Sequence, residues 1–243
     1  MVPNFWITRL LNHLFGPAVA ALMNMVGVHP PDPARPINDT YALEVLVAAC
    51  LVVFFLIVRF TLSVEKPNPA QQLAEMIHEF TGSNASQIIG HNYERFQAFV
   101  TCIFLFIVIN NLLGLIPGVV TPTSAPVVPL GIALCTFIYY HFYGFKENGL
   151  GYMKQFAGPI WWISPLLFPI EIISHCARVM SLTIRLYANM FASDLVTLVF
   201  FSLIPLAVPA VFLGLHAFVS LIQAYVFMLL SMIYLGVATA HDH

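Results

Sequence analysis

Five long apolar runs constrain the fold of this chain more than any other feature of its sequence. They cover about residues 42–62, 96–116, 127–145, 161–203 and 207–240. A helix rises about 1.5 Å per residue, so about 20 residues cross a hydrocarbon core of about 30 Å. Within lipid, a backbone satisfies its hydrogen bonds only in helices or closed barrels. The runs therefore predict an all-α membrane protein with five transmembrane helices.

The composition excludes several classes of protein. Hydrophobic residues make up 60% of the chain and charged residues only 8%, whereas a soluble domain carries about 25% charged residues. The formal net charge of −2 gives no basis for binding nucleic acid. The sequence contains neither a P-loop for ATP nor an HExxH or CxxC pattern for a metal. We therefore expect no cofactor, no metal and no nucleic-acid partner.

Two segments outside the apolar runs are amphipathic or polar. Residues 1–40 form an N-terminal segment, in which residues 1–28 predict an interfacial amphipathic helix without a cleavable signal peptide. The proline-rich stretch 29–36 is expected to be a loop, because proline cannot donate a helical hydrogen bond. Residues 69–81 are too polar to span a bilayer and predict a short amphipathic helix on the cytoplasmic surface. Residues 41–240 then form the transmembrane domain.

The last two apolar runs are longer than a membrane crossing requires. The run 161–203 would be about 60 Å long as one helix, twice the hydrocarbon thickness. Its part from 170 to 203 contains neither glycine nor proline, which favours one tilted helix over a broken one. Pro205 and Pro209 mark a turn before the run 207–240. The two runs are therefore predicted to form a long helical hairpin.

Basic residues at the ends of the runs predict the orientation of the chain. Arg59, Lys66, Arg95, Lys146 and Lys154 fall on one side of the predicted spans, and Arg9 and Arg35 fall on the other. Cytoplasmic loops carry an excess of Lys and Arg. We therefore expect the N-terminus outside and the C-terminus in the cytoplasm.

Ionisable and amide residues lie within the predicted hairpin. Its first arm contains Glu171, His175, Arg178, Arg185, Asn189 and Asp194, and its second arm contains His216, Ser220 and Gln223. Each charged group in a membrane costs about 2.5 to 3.5 kcal/mol on insertion scales and usually marks function. Arginine is the most constrained, because it cannot become neutral by losing its proton.

The spacing of these residues predicts which of them lie together. Glu171, Arg178 and Arg185 are seven residues apart and share one stripe of a helix. Folding the hairpin about position 205 puts Arg185 near the level of Gln223. The same fold puts Asp194 near the level of His216. Asp194 lies nine residues past Arg185, on roughly the opposite side of its helix.

Three stretches resemble the a subunit of F-type rotary ATP synthases of the bacterial type. They are SLTIRLYANMFASDL (181–195), HAFVSLIQAYVFMLLSMIYL (216–235) and NNLLGLIPG (110–118). The resemblance covers residues 41–240. It implies a non-catalytic, proton-translocating stator subunit in the bacterial inner membrane, whose partners are a ring of c subunits, the b subunits of the peripheral stalk, membrane lipid and protons.

The resemblance also implies roles for individual residues. Arg185, Asn189 and Gln223 would face the carboxyl groups of the rotating ring, and Asp194, His216, Ser220 and Glu171 would line two offset proton half-channels. Many relatives carry histidine at the position of Asp194 and glutamate at that of His216, whereas this chain places the acid first.

Simpler interpretations of the same residues remain open in the sequence. Arg185 could form a structural salt bridge, Gln223 a helix-to-helix hydrogen bond, and Asp194 with His216 a staple of the hairpin. Glu171 and Arg178 could be a plain interfacial ion pair. Glu171 and His175 have the spacing of metal ligands, but no third ligand is in register.

Other functions receive less support from the sequence. A secondary transporter would show an internal repeat, and five spans do not divide into two halves. An intramembrane enzyme would need a nucleophile with its base or a metal motif, neither of which is evident.

Overall fold

The computed structural model describes residues 6–25, 36–90, 92–116, 119, 121–149, 152, 164–203 and 207–239. Seven helices lie in these ranges, and they contain no strand. The helices are α1 (Trp6–Met25), α2 (Asp39–Phe60), α3 (Pro69–Ile88), α4 (Glu94–Leu112), α5 (Val127–Asn148), α6 (Ser164–Leu203) and α7 (Ala207–Thr239). Two 3₁₀ turns, Leu113–Leu115 and Pro122–Ser124, lie between α4 and α5.

Five of the described helices are long and apolar enough to cross a membrane. They are α2, α4 with the 3₁₀ turn that follows it, α5, α6 and α7. This confirms the predicted all-α membrane fold with five spans. The helix ends differ from the ends of the apolar runs by a few residues, because caps determine where helices begin and end. The Asn38 side chain caps α2 by accepting a hydrogen bond from the Asp39 amide, and Gly149, with a φ of 53°, ends α5.

Helix α6 is a single helix of 40 residues. Its only described proline after the first turn is Pro169, and the stretch from 170 to 203 has neither proline nor glycine to break it. Residues 204–206, with Pro205, lie outside the described residues, as do 161–163 and residue 240 at the outer ends of the predicted hairpin arms. Pro209, the other proline predicted to mark the turn, lies instead in the first turn of α7. Helices α6 and α7 nevertheless pack against each other as the two arms of a hairpin.

Helix α7 lies at the centre of the molecule, and α6 lies at its edge. Of the apolar window in α7, 44% is buried, against 11% of that in α6. The inner side of α6 carries Leu182, Leu186 and Met190, which pack with Phe227 of α7 in one hydrophobic cluster. The rest of the α6 surface is therefore left to face lipid or another protein.

Helix α3 is longer than predicted, because the polar stretch after residue 81 packs closely on α4. The prediction ended this amphipathic helix at 81, whereas the helix continues to Ile88. Small side chains allow the approach: a Cβ on Gly82 would lie 2.6 Å from Nε2 of Gln97. Thr81 and Thr101 share a buried hydrogen bond of 2.8 Å beside it.

The apolar side chains of α3 lie on its exposed side, and its small and polar side chains lie on its buried side. Its buried residues are Gln71, Thr81, Gly82 and Ala85, whereas its apolar residues Leu73, Met76 and Phe80 are exposed. A helix with polar and small groups inward and apolar groups outward suits a bilayer surface and not a water-soluble core.

Helix α1 has the predicted amphipathic pattern and is attached to the start of α2. Trp6, Leu10, Leu14 and Phe15 are exposed along it. Asn12 exchanges two hydrogen bonds with the backbone of Ile37, as donor and as acceptor. Most of the predicted proline-rich loop, residues 29–35, lies outside the described residues.

Candidate functional site

Arg185 lies on α6 at the boundary between its buried side and its outer face. The residue is half-buried, and its neighbour Leu186 is fully buried against α7. Within the described ranges the guanidinium has one hydrogen bond, from Nη2 to the Ser181 hydroxyl at 3.3 Å. Among the described residues no carboxylate lies within ion-pair distance of it. An arginine in an apolar span therefore has no described counter-ion within its own chain.

Gln223 contacts the residue one helical turn beyond Arg185. Gln223 is buried on α7, and its Oε1 accepts a hydrogen bond of 2.8 Å from Nδ2 of Asn189 on α6. Asn189 is itself exposed on the outer face. The hairpin thus brings the predicted residues together, with Asn189 as the direct partner of Gln223. The interhelical hydrogen bond that the sequence left open for Gln223 is present.

Asp194 and His216 lie next to each other between the two arms. Oδ1 of Asp194 is 3.7 Å from Nδ1 of His216, as the fold about position 205 predicted. His216 is 1% exposed, and the Asp194 side chain is 24% exposed. The Thr121 hydroxyl donates to Oδ1 of Asp194 at 2.8 Å. The other carboxylate oxygen, Oδ2, is buried without a hydrogen-bond partner in the described part of the chain.

The hydrogen bonds of His216 identify the nitrogen that carries the hydrogen of the neutral ring. Nε2 lies 3.1 Å from the backbone oxygen of Asn111, and a carbonyl only accepts hydrogen bonds, so Nε2 carries a hydrogen. Nδ1 lies 2.7 Å from the Ser193 hydroxyl, which can donate or accept. The lone pair of the neutral ring is therefore on Nδ1, the nitrogen that faces Ser193 and Asp194.

A buried network behind His216 includes residues that the sequence did not single out for this role. The Thr123 hydroxyl donates to Oδ1 of Asn111 at 2.6 Å, and Nδ2 of Asn111 donates to the Ser220 backbone oxygen at 3.4 Å. Ser220 directs its own hydroxyl to the Met190 sulfur at 3.9 Å and not to His216. The backbone oxygen of Asn111 also holds His216 in place at Nε2.

Thr121 and Ser193 carry no strong signal in the sequence, because isolated hydroxyl residues are frequent in membrane helices and loops. Their one hint is position: Thr121 lies in the Pro- and Thr-rich loop after NNLLGLIPG, and Ser193 precedes Asp194. Only the packing of the loop against the hairpin brings both hydroxyls to the Asp194 and His216 pair.

Glu171 lies near the opposite end of α6. Its Oε1 is 3.4 Å from Nε2 of His175 and 3.9 Å from Nη2 of Arg178. About 14 residues separate Glu171 from Arg185, which corresponds to about 21 Å along the helix. The ion pair with Arg178 that the sequence left open is thus present. The described residues contain no group of three side chains placed to hold a metal ion.

Comparison with known proteins gives one consistent family. The profile of the family described as "ATP synthase A chain" matches residues 41–236. A protein of Koribacter versatilis named "ATP synthase subunit a" is 52% identical over the whole of both chains. One of Solibacter usitatus with the same name is 47% identical over 96% of this chain and 99% of its own. A Bdellovibrio bacteriovorus protein, also so named, is 42% identical over 70% and 74% of the two chains.

Proposed function

Because the chain belongs to the ATP synthase A chain family, we propose that its intramembrane polar residues carry protons past a rotating ring of carboxyl-bearing subunits. Family membership makes the chain a subunit of the membrane sector of ATP synthase that is not itself catalytic and that takes part in proton transport for ATP synthesis. With five apolar helices, it is a multi-pass membrane protein of bacterial type. The roles of single residues below are our proposal.

Arg185 is the residue that faces the ring, and its lack of a described carboxylate partner is the observation that carries this proposal. An unpaired charge in lipid is costly, so an arginine without a carboxylate partner among the described residues favours a partner from another subunit. Each passing ring carboxylate supplies one: at ~4 Å and an effective dielectric near 20, the attraction is about 4 kcal/mol. This favours the ionised carboxylate and releases its proton. Asn189 lies on the same face, and buried Gln223 holds it.

Two polar clusters on either side of Arg185 serve as offset half-channels. The inlet cluster contains Asp194, His216 and Ser220, where His216 exchanges a proton at Nδ1 with groups that include Asp194. The outlet cluster contains Glu171. Arginine keeps its proton and cannot relay it, so Arg185 also blocks a direct leak between the two.

The charged ends of the helices support the orientation with the N-terminus outside. Arg95 at the start of α4 and Glu147 at the end of α5 form an ion pair of 2.6 Å, so these two ends share one side. Thr8 of α1 donates a hydrogen bond of 2.5 Å to Asp39 at the start of α2. The side that carries Arg95 also carries most of the basic residues counted in the prediction, so it is the cytoplasmic side. Helix α1 contacts the opposite end of α2 from Arg59 and therefore lies outside. Lys154 and Arg35, which also entered the prediction, lie outside the described residues.

We assign the c ring and the b subunits to different faces of this chain. Helix α6, with its large outer surface, lies against the c ring. Helices α2 and α3 pack with α4, whereas α6 packs with α5 and α7. The exposed apolar side chains of α2 and α3 are thus available to the b subunits of the peripheral stalk and to lipid.

The Arg185→Ala variant tests the proposal in the complete complex. We expect ATP-driven proton pumping in proteoliposomes to be abolished while the complex still assembles, because the ring carboxylates lose the charge that displaces their protons. Arg185→Lys should also pump poorly, since a buried lysine can lose its charge. Arg59→Ala, which removes an exposed arginine at the end of α2, is the control and should pump normally. Coupled pumping by Arg185→Ala would contradict the assigned role.

A further inference from the structure

A second buried histidine lies in the outlet cluster, where α5 and α6 meet. His175 is 8% exposed, and the Tyr140 hydroxyl of α5 lies 2.9 Å from its Nδ1. On the other side of the ring, Oε1 of Glu171 lies 3.4 Å from Nε2. Each ring nitrogen therefore has a polar neighbour, and the two neighbours lie on different helices or turns. An imidazole with partners at both nitrogens can take up a proton at one and release it at the other.

Titratable and charged groups surround His175 on every element packed against it. They are Glu171 and Arg178 of α6, Tyr140 and His141 of α5, Tyr234 of α7, and Tyr152 after α5. The ring centroids of His141 and His175 are 4.8 Å apart. The Arg178 guanidinium lies 5.3 Å from the centre of the Tyr234 ring, and this contact holds its charge beside Glu171.

A cavity of about 20 Å³ lies within this group. Five of its polar lining residues are Tyr140, Tyr152, Glu171, His175 and Arg178. A water molecule needs about 10–15 Å³ and two to four polar partners, so the cavity has room and partners for one. Burial raises the pKa of the Tyr152 hydroxyl, and a phenolic hydroxyl can donate to such a water.

We propose that His175 is a proton-carrying residue of the Glu171 half-channel and that the Tyr140 hydroxyl orients its ring and passes protons to it. The inference rests on the proposed function, because it extends the outlet path toward Arg185. His175 is ten residues from Arg185, or about 15 Å along α6, and four residues closer to it than Glu171 is.

The proton transfer balances without an added reactant. The Glu171 carboxylate only accepts hydrogen bonds, so the neutral ring carries its hydrogen on Nε2, which faces it, and Nδ1 accepts from the Tyr140 hydroxyl. When a proton arrives from the cavity water, the hydroxyl takes it and passes its own hydrogen to Nδ1. The Nε2 hydrogen moves to the carboxylate. One proton enters, one is delivered, and Glu171 then releases it to the cytoplasmic side.

The role of His175 is tested by removing its imidazole ring by mutation and then adding imidazole to the solution. In the complete complex, His175→Ala should slow the initial rate of ATP-driven proton pumping about a hundredfold, the lower end of what a positioned acid–base group contributes. Added imidazole should restore the rate, because it fits the space that the variant opens. Added 1-methylimidazole should not, because it has lost the hydrogen on one nitrogen and cannot pass a proton through the ring.

Three outcomes would overturn the role of His175. They are unchanged pumping in His175→Ala, equal restoration by both compounds, and a loss that neither compound restores. The second would mean that the ring only fills space, and the third that it only holds the helices in place. Assembly of each variant is checked by co-purification of the other subunits.

A matched pair of tyrosine variants tests Tyr140. Tyr140→Phe keeps the buried ring but removes the hydroxyl that orients His175, so pumping should slow severalfold and its pH profile should change. Tyr139→Phe is the control, since this neighbouring ring stacks on Phe99 at 3.6 Å between centroids and not on His175. Equal behaviour of the two variants would reject the positioning role.

The proposed function and the relay fail in distinguishable ways. Coupled pumping in Arg185→Ala would reject both. Loss of pumping in Arg185→Ala together with normal pumping in His175→Ala would reject only the relay.

Discussion

At the scale of single residues, the hydrogen-bond partners of each polar group define what it can do. His216 is held at Nε2 by a backbone carbonyl and faces a hydroxyl and a carboxylate at Nδ1. Arg185 has only the Ser181 hydroxyl as a described hydrogen-bond partner. A group with an assigned hydrogen at one nitrogen and exchangeable partners at the other suits proton transfer. A charge such as Arg185, which has no described counter-ion in its own chain, can pair with a carboxylate of another subunit.

The His216→Gln variant tests the inlet at this scale. Glutamine can still donate to the Asn111 carbonyl, but it cannot take up a proton. We expect the pH dependence of proton flux through the complex to change while the amount of assembled complex stays the same. The measurement is the rate of pumping across a pH series. A profile identical to that of the unmodified complex would rule out His216 as a proton carrier.

At the scale of elements, close approach of short segments creates the inlet site. The 3₁₀ turn Leu113–Leu115 passes so near α7 that a Cβ on Gly114 would lie 2.9 Å from Nε2 of His216. The second 3₁₀ turn, Pro122–Ser124, packs on α6 and directly follows Thr121. Two turns between α4 and α5 thus orient groups on both arms of the hairpin.

Gly114→Ala tests this close approach. The new methyl group would lie 2.0 Å from the Thr121 hydroxyl oxygen, so Thr121 must move away from Asp194. Such overpacking costs about 1–3 kcal/mol. If the activation free energy of proton transfer rises by about 1.4 kcal/mol, proton pumping falls about tenfold, and this is the decrease we expect. Gly131→Ala on α5 is the matched control, because nothing lies within 4 Å of its added Cβ. Normal pumping by both variants would mean that the position of Thr121 is unimportant.

At the scale of the whole molecule, the unequal burial of α6 and α7 decides which surface meets a partner. Helix α7 is enclosed by α4, α5 and α6, whereas α6 leaves most of its surface open. Arg185 and Asn189 lie at the edge of that open surface. The described part of the chain therefore has an outer face that combines apolar side chains with an arginine that has no carboxylate partner there.

Disulfide cross-linking tests this arrangement in the assembled complex. The four native cysteines are free and exposed, so they are first replaced by serine. A cysteine at the exposed position Ala188 should then cross-link to cysteines in the small ring subunits. A cysteine at Val52, exposed on α2, should not. Ring cross-links at Val52 and none at Ala188 would place the ring on another face.

Local sequence properties were sufficient for the helices and for much of the hairpin. Apolar length predicted five spans, and the absence of glycine and proline after position 169 predicted one unbroken α6. The equal distances of Asp194 and His216 from the turn predicted their proximity. Such features depend on hydropathy, helical rise and chain direction, which are properties of contiguous residues.

Only the tertiary structure identified the partners that come from distant segments. Thr121 meets Asp194 across 73 positions, and Asn111 meets His216 across 105. Tyr140 meets His175 because α5 packs on α6. The outward direction of the apolar residues of α3 likewise depended on packing. Hydroxyls and backbone carbonyls are too common to carry a signal in sequence, and their directions are determined by how helices and turns pack together.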